Sequence, residues 1–156
     1  MVGTDVAVPP AEPPQSSLAA MLRSISDAVP MSNSRERILE TLDGLARGYE
    51  TNDIESRVAL FAPAIVFEDP LGVPRASNHA ELREFYRSAT AGGISLDRKV
   101  EDRVIIHDQA IERAVVTVYA PDQMLVHVHL YTHFVFDSAG LITLYKVFFD
   151  RESITN

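Results

Sequence analysis

Cysteine is missing from all 156 residues. Disulfides, thiolate metal sites and cysteine nucleophiles are therefore excluded, and a reducing compartment is compatible with the chain. Cations are scarce: 14 Lys+Arg stand against 22 Asp+Glu, a net charge of −8, and the lysines are Lys99 and Lys146 alone. Grip on a phosphate backbone needs clustered cations, so no nucleic-acid partner is expected. No apolar run approaches the roughly 18–20 residues of a membrane span. The first basic residue is Arg23, which leaves no cationic start for a secretory leader; no membrane partner and a cytoplasmic location are the expectation. Also lacking are a phosphate-cradling glycine loop, a serine nucleophile elbow and a helical His-Glu-x-x-His motif. What is present, 46% hydrophobic residues, suffices for one globular domain and a tail.

Four of the nine prolines (Pro9, Pro10, Pro13, Pro14) fall in residues 1–15, which read as a flexible leader. Leu18, Met21, Leu22, Ile25 and Val29 then form one stripe of a short amphipathic helix, ended by Pro30. Residues 1–33 are thus set apart from a domain at 34–156. Three Asn-x-x-Glu pairs, Asn33/Glu36, Asn52/Glu55 and Asn78/Glu81, have capping-box spacing and open three predicted helices. Gly44 and Gly48 in the first of them suggest close backbone approach. A short strand, 65–68, lies between the second and third, closed by the Asp-Pro-Leu-Gly turn at 69–72. From residue 95 the period becomes two. Segments 95–106, 110–119, 124–136 and 141–149 read as four strands in hairpin order. Helices followed by an antiparallel sheet define an α+β fold, with the helices covering one face of the sheet. A curved sheet over helices encloses a cavity suited to a small apolar ligand.

Asp69 follows Ile65, Val66 and Phe67 and by alternation shares the face of Ile65 and Phe67. A carboxylate on an apolar face is desolvated, which raises its proton affinity and fits it for proton shuttling. The other role open to an aspartate before proline is capping the turn. His127, His129 and His133 share one strand face, a spacing that permits a metal. Of Glu112 and Arg113, neighbours on a strand, one points inward and one outward, and the pattern leaves open which. His79, in the first turn of a helix, and His107, in a hairpin turn, read as solvated.

The stretch 58–72, VALFAPAIVFEDPLG, resembles the ketosteroid isomerase branch of the nuclear-transport-factor-2-like (SnoaL-like) superfamily. The likeness continues at Glu84-Phe85-Tyr86, His133-Phe134-x-Phe136, Ala139-Gly140 and the strand ending Phe148-Phe149, and spans about residues 35–154. It implies a cone-shaped α+β barrel, three helices packed in a curved antiparallel sheet, working without a cofactor. In ketosteroid isomerases an Asp base moves a proton beside a carbonyl, helped by an oxyanion hole of a Tyr and a protonated Asp. Asp69 matches the base. Leu45 and Thr132 stand where the two oxyanion donors are, and losing one such donor typically costs about 10²–10³ in rate. Tyr49, one helical turn after Leu45, together with Tyr86, Tyr145 and the hydroxyl of Thr132, are the candidate replacements. Leu45, Phe67, Phe85, Phe134 and Phe149 are the implied apolar lining. Thr132 facing the pocket puts the three histidines and Tyr131 on the convex face, where members of the superfamily commonly meet another subunit. A homodimer is therefore expected there and no metal. The implied function is an isomerase-like enzyme acting on a steroid- or polyketide-like carbonyl compound. Its rivals are a dehydratase, cyclase or hydrolase of the same fold, a non-catalytic ligand-binding or dimerisation module, and a histidine-based all-β metal barrel.

Overall fold

A computed structural model describes Gly3, residues 14–122 and residues 125–156. The rest of the proline-rich leader and the turn residues 123–124 lie outside the described residues. The chain divides into two compact units, Met1–Pro30 and Met31–Asn156. In the first, helix α1 (Pro14–Asp27) realises the amphipathic segment, and Leu18, Met21, Leu22 and Ile25 on its stripe are exposed.

The second unit opens with helices α2 (Arg35–Glu50) and α3 (Ile54–Val58). Strands β1 (Phe61–Glu68) and β2 (Pro74–Asn78) follow, then helix α4 (His79–Ala89). Strands β3 (Ser95–Ile106), β4 (Gln109–Tyr119), β5 (Val126–Phe136) and β6 (Ile142–Phe148) come next, with a two-residue strand β7 (Ile154–Thr155) at the end. The architecture is α+β with strand order β2-β1-β6-β5-β4-β3, β7 pairing with β5. One feature of the expected antiparallel sheet is corrected: β1 pairs with β6 in parallel, so the sheet is mixed.

Two of the three expected caps shift by one residue. Ser34 caps α2, its hydroxyl accepting from Arg37 N. Asn33 is drawn into tertiary bonds instead, its side-chain amide donating to Asp108 Oδ1 at 3.0 Å and to the Asp137 carbonyl at 2.7 Å. Asp53 rather than Asn52 caps α3, whereas Asn78 caps α4 as its spacing predicts. His79 is not simply solvated. Its Nε2 donates to the Phe61 carbonyl at 2.8 Å and ties α4 to β1.

Alternation on β5 buries Leu130, Thr132, Phe134 and Phe136 and turns His129 and Tyr131 outward. On the same outer face His133 Nε2 donates to Gln109 Oε1 at 2.7 Å, and His127 Nδ1 shares a hydrogen bond with Thr117 at 3.0 Å. Val104, Ile106, Ile111 and Phe148 are also exposed. On the inner face Ile38, Leu42 and Leu45 of α2 and Leu82 and Tyr86 of α4 pack against Phe61, Phe67, Phe134, Ile142 and Tyr145.

Between Val100 and Asp102 a β-bulge shifts the β3–β4 register. Arg98 and Arg103 are five apart, an odd spacing that places them on opposite faces of a regular strand. The extra residue brings both to the inner face, with Arg103 opposite Glu112 and Arg98 opposite Val116.

Close approach at Gly48 is real: a Cβ there would collide with Arg57 Cγ and stand 3.2 Å from Ser56 Oγ. Arg57 is buried beneath two tyrosines, its guanidinium 4.5 Å from the Tyr49 ring centroid and 4.2 Å from that of Tyr86. Gly48→Ala therefore over-packs this stack and should cost about 1–3 kcal/mol, read as a lower urea midpoint. Gly44→Ala, whose Cβ would meet Leu60 at an ordinary 3.4 Å, is the control and should leave the midpoint unchanged or higher.

Candidate active site

The helices and the inner sheet face enclose a cavity of about 200 Å³. Its mouth is lined by half-buried Tyr49, Asp69, Phe85 and Phe149, and its floor by buried Tyr86, Arg98, Tyr145 and Val147. Leu96, Val116, Val128 and Leu130 make the wall apolar.

Asp69 follows β1 directly, and the turn beyond it is fastened without its carboxylate. Asp69 N donates to the Val73 carbonyl, and the Asp69 carbonyl accepts from Arg75 Nε at 2.8 Å. The carboxylate that caps the turn belongs to Glu68, whose Oε1 accepts from Gly72 N at 2.7 Å. The Asp69 carboxyl is left to the cavity, and burial raises its pKa above the ordinary value of 3.8, partly offset by the Arg75 guanidinium.

The three tyrosines converge by different routes. Tyr145 lies flat on Phe67, centroids 4.4 Å apart, and meets Phe134 edge-on at 5.2 Å. Tyr49 and Tyr86 are edge-to-face at 6.0 Å and share the Arg57 guanidinium. Burial, reinforced by the neighbouring Tyr49, pushes the phenols of Tyr86 and Tyr145 well above the usual tyrosine range. Both are held protonated. Although Tyr49 approaches Tyr86, the Tyr86 hydroxyl closes no hydrogen bond of ordinary geometry within the protein.

Of the residues expected at the site, Asp69, Tyr49, Tyr86, Tyr145, Phe85 and Phe149 come together around the cavity. Leu45, Phe67 and Phe134 do not line it; they are buried in the layer behind, the last two bracing Tyr145. Thr132 is buried as well, but its hydroxyl is engaged by Arg98 Nη2 at 3.2 Å. The inward member of the pair on β4 is Glu112, and Arg113 is exposed.

Sequence reasoning missed Arg98 and Arg103. Arg98 Nη1 donates to Glu112 Oε1 at 2.8 Å, and Arg103 Nη2 lies 2.6 Å from Glu112 Oε2. The bulge that aims both arginines inward leaves no signature in the period of the strand, so no local signal could have found them. Among the described residues no group of three or more His, Asp or Glu is placed to hold a metal ion, and no helix is long and apolar enough to cross a membrane.

Helices laid into a curved mixed sheet of this strand order give the nuclear-transport-factor-2-like class of fold. Residues 42–145 match the SnoaL-like domain, and the chain belongs to that family. Among solved structures it is similar to the delta 5-3-ketosteroid isomerase from Mycobacterium sp., at 22% identity and TM-score 0.68 over 76% of this chain and 97% of that one. It is similar also to RV0760c from Mycobacterium tuberculosis in complex with estradiol-17beta-hemisuccinate, at 19% identity and TM-score 0.70 over 77% and 98% of the two chains. An LEH-like epoxide hydrolase from M. tuberculosis matches at 14% identity and TM-score 0.66 over 76% and 86%. At these identities the likeness is one of fold, and the fold hosts more than one reaction.

Proposed function

We propose that this protein is a cofactor-independent, isomerase-like enzyme that moves a proton between carbons of a small, largely apolar carbonyl compound. Asp69 takes the proton from the carbon beside the carbonyl, and the electron pair passes onto the carbonyl oxygen. The enolate accepts hydrogen bonds from the protonated phenols, and Asp69 returns the proton to a second carbon. The observation that carries this reading is the disposition of Asp69: its carboxyl is released from the turn by Glu68 and lines an apolar cavity that also holds Tyr49, Tyr86 and Tyr145. These phenols take the place of the donors lost at Leu45 and Thr132. The ketosteroid isomerase and RV0760c relatives support a ligand of steroid type. Size narrows the choice. Ligand pockets typically hold about 300–1,000 Å³, and this one is about 200 Å³. It suits a one- or two-ring ketone, or the reacting end of a steroid.

The test uses β-tetralone, a two-ring ketone, with deuterium uptake from D₂O beside the carbonyl followed by proton NMR. A Δ5-3-ketosteroid, followed by the ultraviolet absorbance of its conjugated product, serves in parallel. The base must be ionised, so the rate should climb with pH and its acid limb should fall above the ordinary aspartate value of 3.8, because burial raises the Asp69 pKa. Exchange no faster than in buffer for both substrates would overturn the proposal, as would an acid limb at or below that value.

A further inference from the structure

Two buried polar atoms, on residues that line the cavity, close no hydrogen bond of ordinary geometry within the protein. Among the described residues, Tyr86 Oη and Arg98 Nε are the buried side-chain polar atoms without a hydrogen-bond partner, and both residues line the one cavity. Tyr86 is 1% exposed and Arg98 6%. Buried polar groups are nearly always paired, and an orphaned one is destabilising, more so when charged. Two such orphans on residues that line one cavity point to a missing partner there. Arginine has no acceptor to offer, and the Tyr86 phenol is held protonated by burial. Whatever completes the pair must bring acceptors.

Charge says which acceptors. Two guanidinium groups, Arg98 and Arg103, share the single buried carboxylate of Glu112. The second partner of Arg103, Asp43 at 3.2 Å, is 54% exposed, and solvent screens its contribution. Burial alone would pull the Arg98 pKa down, but the Glu112 carboxylate is among the groups that outweigh it, and the guanidinium stays charged. Arg98, the cation that lines the cavity, thus shares its buried counter-charge with a second guanidinium, in an apolar surround where Coulomb interactions are strong. The opposing charge in the cavity is Asp69, at the mouth.

We propose that Arg98 Nε and Tyr86 Oη form an anion seat, and that the ligand of this cavity is a small apolar carboxylic acid whose carboxylate accepts from both. The inference deepens the proton-transfer reading and rests on it only in taking this cavity as the place where the ligand binds. An oxo acid would seat its carboxylate on the floor and present the carbon beside its carbonyl to Asp69 at the mouth, with Tyr49 and Tyr145 left as the donors to the carbonyl oxygen.

The experiment is calorimetric titration of the full chain with β-naphthoate and with β-naphthamide, which share a ring system and differ in charge. Wild type should bind the acid at least about 10-fold more tightly than the amide, since a hydrogen bond to a charged group corresponds to roughly 10–100-fold in affinity. Tyr86→Phe keeps the ring that packs on Arg57 and should narrow that preference. Arg98→Lys, which keeps the charge and loses the Nε–H, should narrow it too. Asp69→Asn removes the repulsion at the mouth and should bind the acid as well as wild type or better, although it cannot exchange β-tetralone. Equal affinities for acid and amide in wild type would overturn the seat, as would a preference that both floor variants leave intact. If Arg98→Lys fails to fold, the wild-type comparison and Tyr86→Phe still decide. Naphthoate preference without turnover of either β-tetralone or the Δ5-3-ketosteroid would sink the proton shuttle and leave the seat standing; turnover without preference would do the reverse.

Discussion

Asp69→Asn should exchange β-tetralone about 10²–10⁴-fold more slowly than wild type, the range a positioned general base contributes. Asparagine keeps the shape of the side chain and loses the ability to take a proton. The turn should survive the change, because the contacts there use the Asp69 backbone and the Glu68 carboxylate. Stability distinguishes this outcome from simple damage. Burial raises the folded pKa of Asp69 above 3.8, so the unfolded chain ionises first as pH rises. Stability is lost across that interval, and the loss is complete above the folded pKa. Asparagine does not titrate. At neutral pH the variant should therefore match or exceed wild type in urea midpoint, and the gap should close as the pH falls toward 3.8. A variant that retains wild-type exchange would remove Asp69 from the mechanism. One that loses exchange and stability together would assign it to the fold.

The parts of the fold legible in the sequence are those whose signals are local. Strands β3 to β6 lie within two residues of their expected ends because alternation is a nearest-neighbour property. The parallel pairing of β1 with β6 joins residues about eighty apart, such as Phe67 and Tyr145, and nothing near either strand announces it. Strand β2, Pro-Arg-Ala-Ser-Asn, is polar and pairs on one side alone, so it carries no apolar period. The cap at Ser34 was displaced by a tertiary demand on Asn33. The same division holds at the site. Asp69 stands out through its apolar neighbours, whereas Tyr49 follows from its one-turn spacing from Leu45, a position marked only by the family resemblance. Tyr86 and Tyr145 came through the family resemblance. The Arg98–Glu112–Arg103 cluster depends on a bulge, and a single inserted residue reverses the inside–outside reading of everything beyond it. Leu45, Phe67 and Phe134 were on the correct face but one layer too deep, a distinction of distance that periodicity does not encode.

That buried cluster makes Glu112→Ala the most destabilising change expected of any single ion pair here. Glu112 is 0% exposed and accepts from Arg98 Nη1 at 2.8 Å and from Arg103 Nε at 2.7 Å. Removing it leaves Arg98, whose side chain is 1% exposed, with the Thr132 hydroxyl as its remaining hydrogen-bond partner among the described residues. Breaking a buried pair from one side costs about 3–5 kcal/mol, because a charge stays behind in low dielectric. Against a total stability of about 5–15 kcal/mol for a domain, that is a large share. Arg103 suffers less, since it keeps Asp43 and reaches solvent. The comparison variant is Glu55→Ala, which breaks the exposed pair with Arg83 at 2.7 Å and should cost only about 0–1 kcal/mol. Urea midpoints of the two would coincide only if Arg98 found water or another acceptor on losing Glu112. The double variant Arg98→Met/Glu112→Leu separates charge from packing: with both buried charges gone, most of the lost stability should return. The acid preference of the cavity should not return with it, because the donor that seats the carboxylate has been removed. A pair kept for folding alone would leave that preference untouched; a pair that holds Arg98 in place for a ligand would lose it while the fold recovers.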